Sequence, residues 1–446
     1  MWNDGDGMSL KSLVAICMIG AVVEFGWAAD EAVLVPHLIR EEVPRWVVSM
    51  IYMANPVVGL WIQPWLGSWS DSLGKRIPFV LGLGVTGLIG LTVVLLASSA
   101  TDNDESSSRM MMMIVTFVGF GLADISLDCL LIPGRALLED TFTKQTEQAN
   151  SVFTAFQLGG RLLALWFGSS RWTLTGLDGL FHGPEAHFFA LMTLSALFLL
   201  ISITTTICCV TDQQPQSTTT TNYQSIPTQQ SSLLPIQSAS PNTTATTTTT
   251  TTNNNNSYTN KNDEKRLFLV CVIQAIGWIG ICSQSFFWTS VRGEQKGCTD
   301  LVSQGVVGIF VAMILPWINQ KFGTMQVWCA SELLFHGLMM MTLSLPDSSP
   351  LWLYLSALTG VNYAVHATNG LLVASIIVND PSKRATTIAM INNALPAGQL
   401  ITALTGGLIA QLLGNFKYTL FSYGTMGFIF TSIATSFLFL LSPTNT

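Results

Sequence analysis

The chain has 446 residues, of which 49% are apolar and only 10% charged, with a formal net charge of -7. An average soluble domain is roughly 25% charged, so these few charges cannot cover a chain of this size with a water-facing surface. The mean hydropathy of +0.47 agrees, which excludes a soluble enzyme, a fibrous protein and a disordered chain and leaves a multi-pass membrane protein.

The 19 Lys and Arg are scattered, so no basic patch points to nucleic acid. Seven of the eight cysteines fall in apolar stretches, where Cys acts as a small hydrophobe. Their spacing carries neither a metal signature nor a disulfide framework. Residues 1–9 contain Asp4 and Asp6 rather than a basic start, and no cleavable signal peptide is expected.

A helix needs roughly 20 mostly apolar residues to cross a bilayer. Stretches of that kind run at 11–35, 46–68, 78–98, 110–134, 150–172 and 187–209, and again at 265–289, 301–320, 325–345, 351–378, 386–413 and 418–441. They are too long and too continuously apolar for barrel strands, so the predicted fold is all-α with twelve membrane helices. Between the sixth and seventh lies 211–264, rich in Thr, Asn, Gln, Ser and Pro, which cannot bury a core and is expected to be a disordered linker. The predicted organisation is a six-helix half at 1–210, the linker, and a second six-helix half at 265–446, the layout of a two-half secondary transporter.

Orientation is read from Lys and Arg. With both termini cytosolic, eleven fall on inner segments (Lys11, Lys75, Arg76, Arg135, Lys144, Lys261, Lys265, Arg266, Lys321, Lys383, Arg384) and seven on outer ones (Arg40, Arg45, Arg109, Arg171, Arg292, Lys296, Lys417). That bias predicts cytosolic termini and a cytosolic linker whose Asn242 and Asn255 sites stay unglycosylated.

A charge at mid-bilayer costs about 2.5–3.5 kcal/mol, so it should face a cavity or a partner. The first span holds Glu24, Asp30 and Glu31, with Glu24, Trp27 and Glu31 on one helix face; Asp30 and Glu31 also fit a wet outer end. In the fourth span Asp124 and Asp128 lie one turn apart, followed by Pro133, Arg135, Glu139 and Asp140. A desolvated carboxylate binds its proton more tightly and can take one up and release it, which suits proton coupling; a structural bond to a neighbouring helix is the competing reading. Arg135 returns to nearly the face of Asp124 but about 16 Å along the axis, so the two do not pair directly. Arg161, mid-way along the fifth span, suits either a static partner for Glu24 or Asp124 or a bond to a substrate.

The second half shows almost no buried charge and offers amides and aromatics instead. Gln274 and Trp278 are one turn apart in the seventh span, and Asn362, His366 and Asn369 share a face of the tenth. Asn392, Asn393, Pro396 and Gln399 interrupt the eleventh. Amides both donate and accept, which suits a hydroxyl-rich ligand as well as interhelical bonding. An imidazole such as His366 titrates near neutral pH.

The run Gln63-Pro64-Trp65-Leu66-Gly67-Ser68-Trp69-Ser70-Asp71-Ser72-Leu73-Gly74-Lys75-Arg76-Ile77-Pro78-Phe79 resembles the loop between helices 2 and 3 of the major facilitator superfamily. More narrowly, it looks like the plant sucrose–proton symporters and their animal relatives, solute carrier family 45, within the glycoside-pentoside-hexuronide:cation group. Phe25-Gly26-Trp27-Ala28 and the run from Asp124 through Arg135-Ala136 to Asp140 are similar to theirs. Where that family has Thr-Asp-Trp-Met-Gly in helix 7, this chain has Thr289-Ser290-Val291-Arg292-Gly293. The resemblance implies a twelve-helix carrier that needs no cofactor beyond a proton gradient. Asp124 would be the proton-coupling acid, with Glu24, Asp30 and Asp128 beside it and Arg135 as its functional partner. Asp71, Lys75, Arg76, Arg135 and Asp140 would form the gate. From the chemistry of the side chains themselves, Trp27, Arg161, Gln274, Trp278, Asn362 and His366 are expected to contact the substrate.

The expected function is proton-coupled symport of a sugar, sucrose or a hexose, by a monomer in the plasma membrane or a vesicle membrane. An organic cation carrier is the alternative, because five acids against Arg161 leave the first half nominally negative. A non-transporting receptor or scaffold is the third reading, with the linker as its interaction region. No arrangement of Ser, His and Asp, no metal set and no phosphate-cradling loop suggests an enzyme.

Overall fold

The computed structural model describes residues 10–29, 45–99, 106–169, 186–210, 261–292, 294–378, 383–413 and 415–441. Asp30, Glu31 and the linker residues 211–260 lie outside the described residues, as do the side chains of Thr289 and Ser290. Among the described residues the regular structure is helical. The first group comprises α1 (Leu10–Ala29), α2 (Arg45–Leu73), α3 (Ile77–Ser99), α4 (Ser106–Thr141), α5 (Thr146–Ser169) and α6 (Ala186–Cys209). The second comprises α7 (Lys261–Arg292), α8 (Glu294–Phe322), α9 (Thr324–Met341), α10 (Leu351–Val378), α11 (Arg384–Asn392), α12 (Ala394–Leu413) and α13 (Phe416–Leu441).

Each of the twelve predicted spans is helical over nearly all of its described residues, 30–35 of the first and 170–172 of the fifth lying outside them. The eleventh is divided, because Pro396 has no N–H to offer the Asn392 carbonyl and the chain turns at Asn393. Pro133 does not end the fourth: α4 continues to Thr141, carrying Arg135, Glu139 and Asp140 beyond the apolar stretch. Four residues assigned to the linker belong instead to α7, which begins at Lys261 with Asp263 and Glu264 in its first turn. Carboxylates there complement the helix dipole, which favours starting the helix before the apolar run.

In the first group α1 packs on α4, α5 and α6, and α3 packs on α4 and α6; in the second α7 packs on α10, α12 and α13. The groups meet through α5 against α8 and α10, and through α2 against α11 and α12. Close crossing of α1 and α5 depends on Gly160, where a Cβ would run into the Ala21 carbonyl. Nine of the described helices are long and apolar enough to cross a membrane, and α2, α5, α11 and α12 are not among them. Those four contact the opposite group, and polar side chains such as Gln63 of α2, Asn150, Gln157 and Arg161 of α5 and Thr387 of α11 are buried against protein. On the outside, α3 exposes Leu81, Val85 and Ile89 and α13 exposes Ile429, Ile433 and Phe437, an apolar surface suited to lipid.

Candidate substrate site between the helix groups

A cavity of about 20 Å³ lies between the groups. Glu24, Trp27, Leu131, Arg135 and Gln157 line it from the first group, and Gln274, Trp278 and Asn392 are among its lining from the second. That volume holds about one water, whereas small-molecule sites span roughly 300–1,000 Å³. In this conformation the cavity is therefore too small to hold a small-molecule substrate. Of the predicted site residues, Glu24, Trp27, Arg135, Gln274 and Trp278 converge on this cavity.

Glu24 is the hub beside it, 1% exposed. One carboxylate oxygen accepts the Tyr363 hydroxyl of α10 at 2.8 Å, and the other lies 3.8 Å from Arg161 of α5. Arg161 reaches the second group as well, donating to the Ser285 hydroxyl at 3.0 Å. Of the two partners open to Arg161 in the sequence, Glu24 is thus one that the geometry supplies. The ion pair neutralises two charges that would be costly alone in the membrane interior.

The acids of α4 lie elsewhere. Asp124 is buried and does not line the cavity. Asp128, fully buried, accepts the Gln63 amide N–H at 3.3 Å, and the Gln63 carbonyl accepts the Asn392 amide at 3.0 Å. A carboxylate in the first group is so connected through one amide to the broken helix of the second.

Around the α2–α3 turn, one end of the bundle is latched. Gly74 holds this turn with φ 60°, a conformation that favours glycine. Asp71 accepts the backbone N–H of Ala385 at 3.1 Å and of Thr386 at 2.7 Å, together with the Thr386 hydroxyl at 2.7 Å. The first turn of α11 is therefore capped from the other helix group, since its own N-cap residue, Lys383, makes no such bond. Arg76 binds Asp71 at 2.8 Å, Asp140 at 3.0 Å and Ser70 at 2.9 Å. Asp140 also binds Arg384 of α11 at 2.6 Å. Lys75, by contrast, is exposed.

Arg135 connects the cavity to this latch. It donates to Gln157 at 2.6 Å and to Asn150 at 3.3 Å, and it stacks over Phe153 at 4.8 Å. Asn150 donates to Glu139, which also receives the Ser375 hydroxyl and lies 3.5 Å from Arg384.

One expectation is overturned: the second group does contain buried charge. Glu332 is fully buried, with His366 Nδ1 at 2.5 Å from its carboxylate. Asp300 is 3% exposed and bonded to Arg292 at 2.9 Å and to the Trp288 indole at 3.2 Å. Glu332 escapes notice as a lone acid within an apolar span, because its partner lies 34 residues away. His366 sits behind Trp278, with ring centroids 5.0 Å apart, and does not line the cavity. Asn362 is also buried off the cavity, and Asn369 exchanges two 2.9 Å amide bonds with Asn319, an interhelical tie. Sequence reasoning passed over Tyr363, Gln157, Asn150 and Arg384 as site residues. Only Tyr363, beside Asn362, carried a local signal.

The sequence model described as Major Facilitator Superfamily matches residues 15–379. Sucrose transport protein SUC3 of Arabidopsis thaliana is 31% identical over 190 residues, covering 38% of this chain and 32% of that protein. Sucrose transport protein SUT4 of Oryza sativa subsp. indica is 29% identical over 175 residues, 36% of this chain and 29% of that protein. The matched segments span about a third of these curated relatives. A bacterial homologue of iron transporter ferroportin, in its outward-facing state, superposes with a TM-score of 0.65 at 12% identity over 97% of this chain and 99% of that one. The E. coli fucose:proton symporter does so at 0.63 and 11% identity, over 96% and 98%. At such identities the likeness is of fold. With the sequence model matching most of its length, the chain belongs to the Major Facilitator Superfamily, and the solved structures share its multi-helix membrane fold.

Proposed function

We propose that this carrier moves a sugar, sucrose or a hexose, together with protons, by alternating access between its two helix groups. The observation that carries the reading is the cavity lining. Amides from Gln157, Gln274 and Asn392 and the indole rings of Trp27 and Trp278 meet there beside a neutralised Glu24–Arg161 pair. Amides match sugar hydroxyls as donors and acceptors, and aromatic faces match the apolar face of a sugar ring. The plant sucrose transport proteins among its relatives support the same substrate class. A cation carrier fits less well, because the acid at the cavity, Glu24, already faces Arg161.

The proton site in this reading is the acid pair of α4, Asp124 and Asp128. An ionised Asp128 accepts from Gln63. Once protonated it can donate instead to the Gln63 carbonyl, in competition with Asn392. Protonation is thereby tied to a contact between the groups. The charge bias of the loops supports cytosolic termini, so the latch closes the cytosolic end and Asp71, Arg76 and Asp140 act as its gate. Labelled sucrose and glucose uptake into proteoliposomes with an inward proton gradient tests the reading. Gradient-stimulated uptake of either sugar supports it, and uptake of neither, with or without the gradient, refutes it.

A further inference from the structure

Two imidazoles and a carboxylate are enclosed in the second helix group. Glu332 lies eight residues into α9, about 12 Å along its axis, and His366 fifteen residues, about 22 Å, into α10, so both sit deep in the membrane. His336, one turn after Glu332, completes the cluster, and all three residues are fully buried. The surrounding helices leave space for them. A Cβ on Gly277 of α7 would strike His366 and Glu332, and one on Gly280 of α7 or Gly427 of α13 would crowd His336. Among the described residues, Cys329 of α9 is a further titratable group beside the cluster; α7 and α13 bring Gly277, Gly280, Gly427 and Trp278 against it.

Glu332 has no lysine or arginine partner among the described residues. Its Oε2, the His366 Nε2 and both His336 nitrogens are buried without hydrogen-bond partners. A lone carboxylate at this depth is costly. The 2.5 Å contact resolves the cost if one proton is shared between Nδ1 and Oε1, since the pair is then neutral with the proton on either atom. Removing that proton would leave a bare negative charge in a low-dielectric interior. His366 also makes a T-shaped ring contact with Trp278, which lines the central cavity.

We propose that Glu332 and His366 together form a second proton-binding site, in the second helix group, that exchanges its proton with the central cavity when Trp278 moves aside. It complements the acids of α4 and rests on the symporter reading only for its effect on transport. Proton binding itself does not depend on which substrate is carried.

The test is infrared difference spectroscopy of the purified, lipid-reconstituted protein between acid and alkaline pH, recorded without sugar. The expected result is a protonated-carboxyl band that is lost in Glu332→Gln and whose pH midpoint shifts in His366→Gln. In Trp278→Ala the same band should exchange with deuterium faster than in wild type. A band unchanged in Glu332→Gln overturns the proposal. If that variant fails to fold, an unshifted midpoint in His366→Gln overturns it instead. Because no sugar is present, failure of the sugar reading would leave these spectra intact. Conversely, sugar symport with no Glu332 signal would refute this site alone.

Discussion

The Tyr363 hydroxyl donates to Glu24 at 2.8 Å across 339 residues of sequence, joining the first helix of one group to the tenth membrane span in the other. The same carboxylate faces Arg161, whose guanidinium also bonds Ser285 of the second group. Both residues of the ion pair therefore hold contacts inside their own group and across the boundary, where Arg161 also lies 5.9 Å from the centre of the Tyr363 ring. Any motion that separates the groups must break the outer contacts and leave the ion pair intact.

Removing one partner of that pair leaves a charge buried and uncompensated. Glu24→Gln and Arg161→Gln should each lower stability by about 3–5 kcal/mol. The double variant should cost less than the two added together. Thermal unfolding of the purified protein in one detergent measures this cycle, and strict additivity would show that the two side chains do not interact.

Tyr363→Phe removes only the cross-boundary donor. Its expected cost is about 1–3 kcal/mol, for a carboxylate oxygen left without that bond. The loss should appear as a lower melting temperature and as easier separation of α1 from α10, read by distance measurements between spin labels on the two helices.

The latch prediction concerns Asp71. Its carboxylate caps the start of α11 from the opposite group and pairs with Arg76. Losing a helix cap costs about 0.5–2 kcal/mol, and 1.4 kcal/mol is tenfold in an equilibrium. Asp71→Ala should therefore open this end roughly tenfold more often. Labelling of Ala389→Cys, at a position buried beneath Gly67 of α2, reports it. Arg76→Lys should have a similar effect, because an ammonium cannot reproduce the planar fork that reaches Ser70, Asp71 and Asp140 together.

Gly160→Ala tests the crossing of α1 and α5. The added methyl would meet the Ala21 carbonyl, which is backbone and cannot rotate away. Overpacking of this kind costs about 1–3 kcal/mol. The neighbouring Gly159→Ala, where a Cβ meets nothing within 4 Å, is the control and should be nearly neutral.

Much of this was legible in the chain before any coordinates. Nine of the spans follow from apolar length, the more polar α2, α5, α11 and α12 stand out less sharply, and the break at Asn393 follows from Pro396. Glu24, Arg161, Asp71 and Arg76 stand out because charges are scarce in an apolar chain. What pairs with what was not legible. Glu24 meets Arg161 only because Gly160 lets α1 and α5 approach, and local periodicity says nothing of that crossing. Arg384 reads as one more loop cation until α11 brings it to Asp140. Glu332 hides in the average hydropathy of its span, although His336 one turn later is a local hint that intramembrane polarity gathers there.

The most direct test of the account is a pH-sensitive dye inside proteoliposomes when sucrose or glucose is added outside, with no gradient imposed. Coupled transport predicts acidification of the interior as sugar enters, and loss of that signal in Asp128→Asn with sugar exchange retained. Sugar entry with no movement of protons would contradict the coupling, and no entry of either sugar would contradict the substrate.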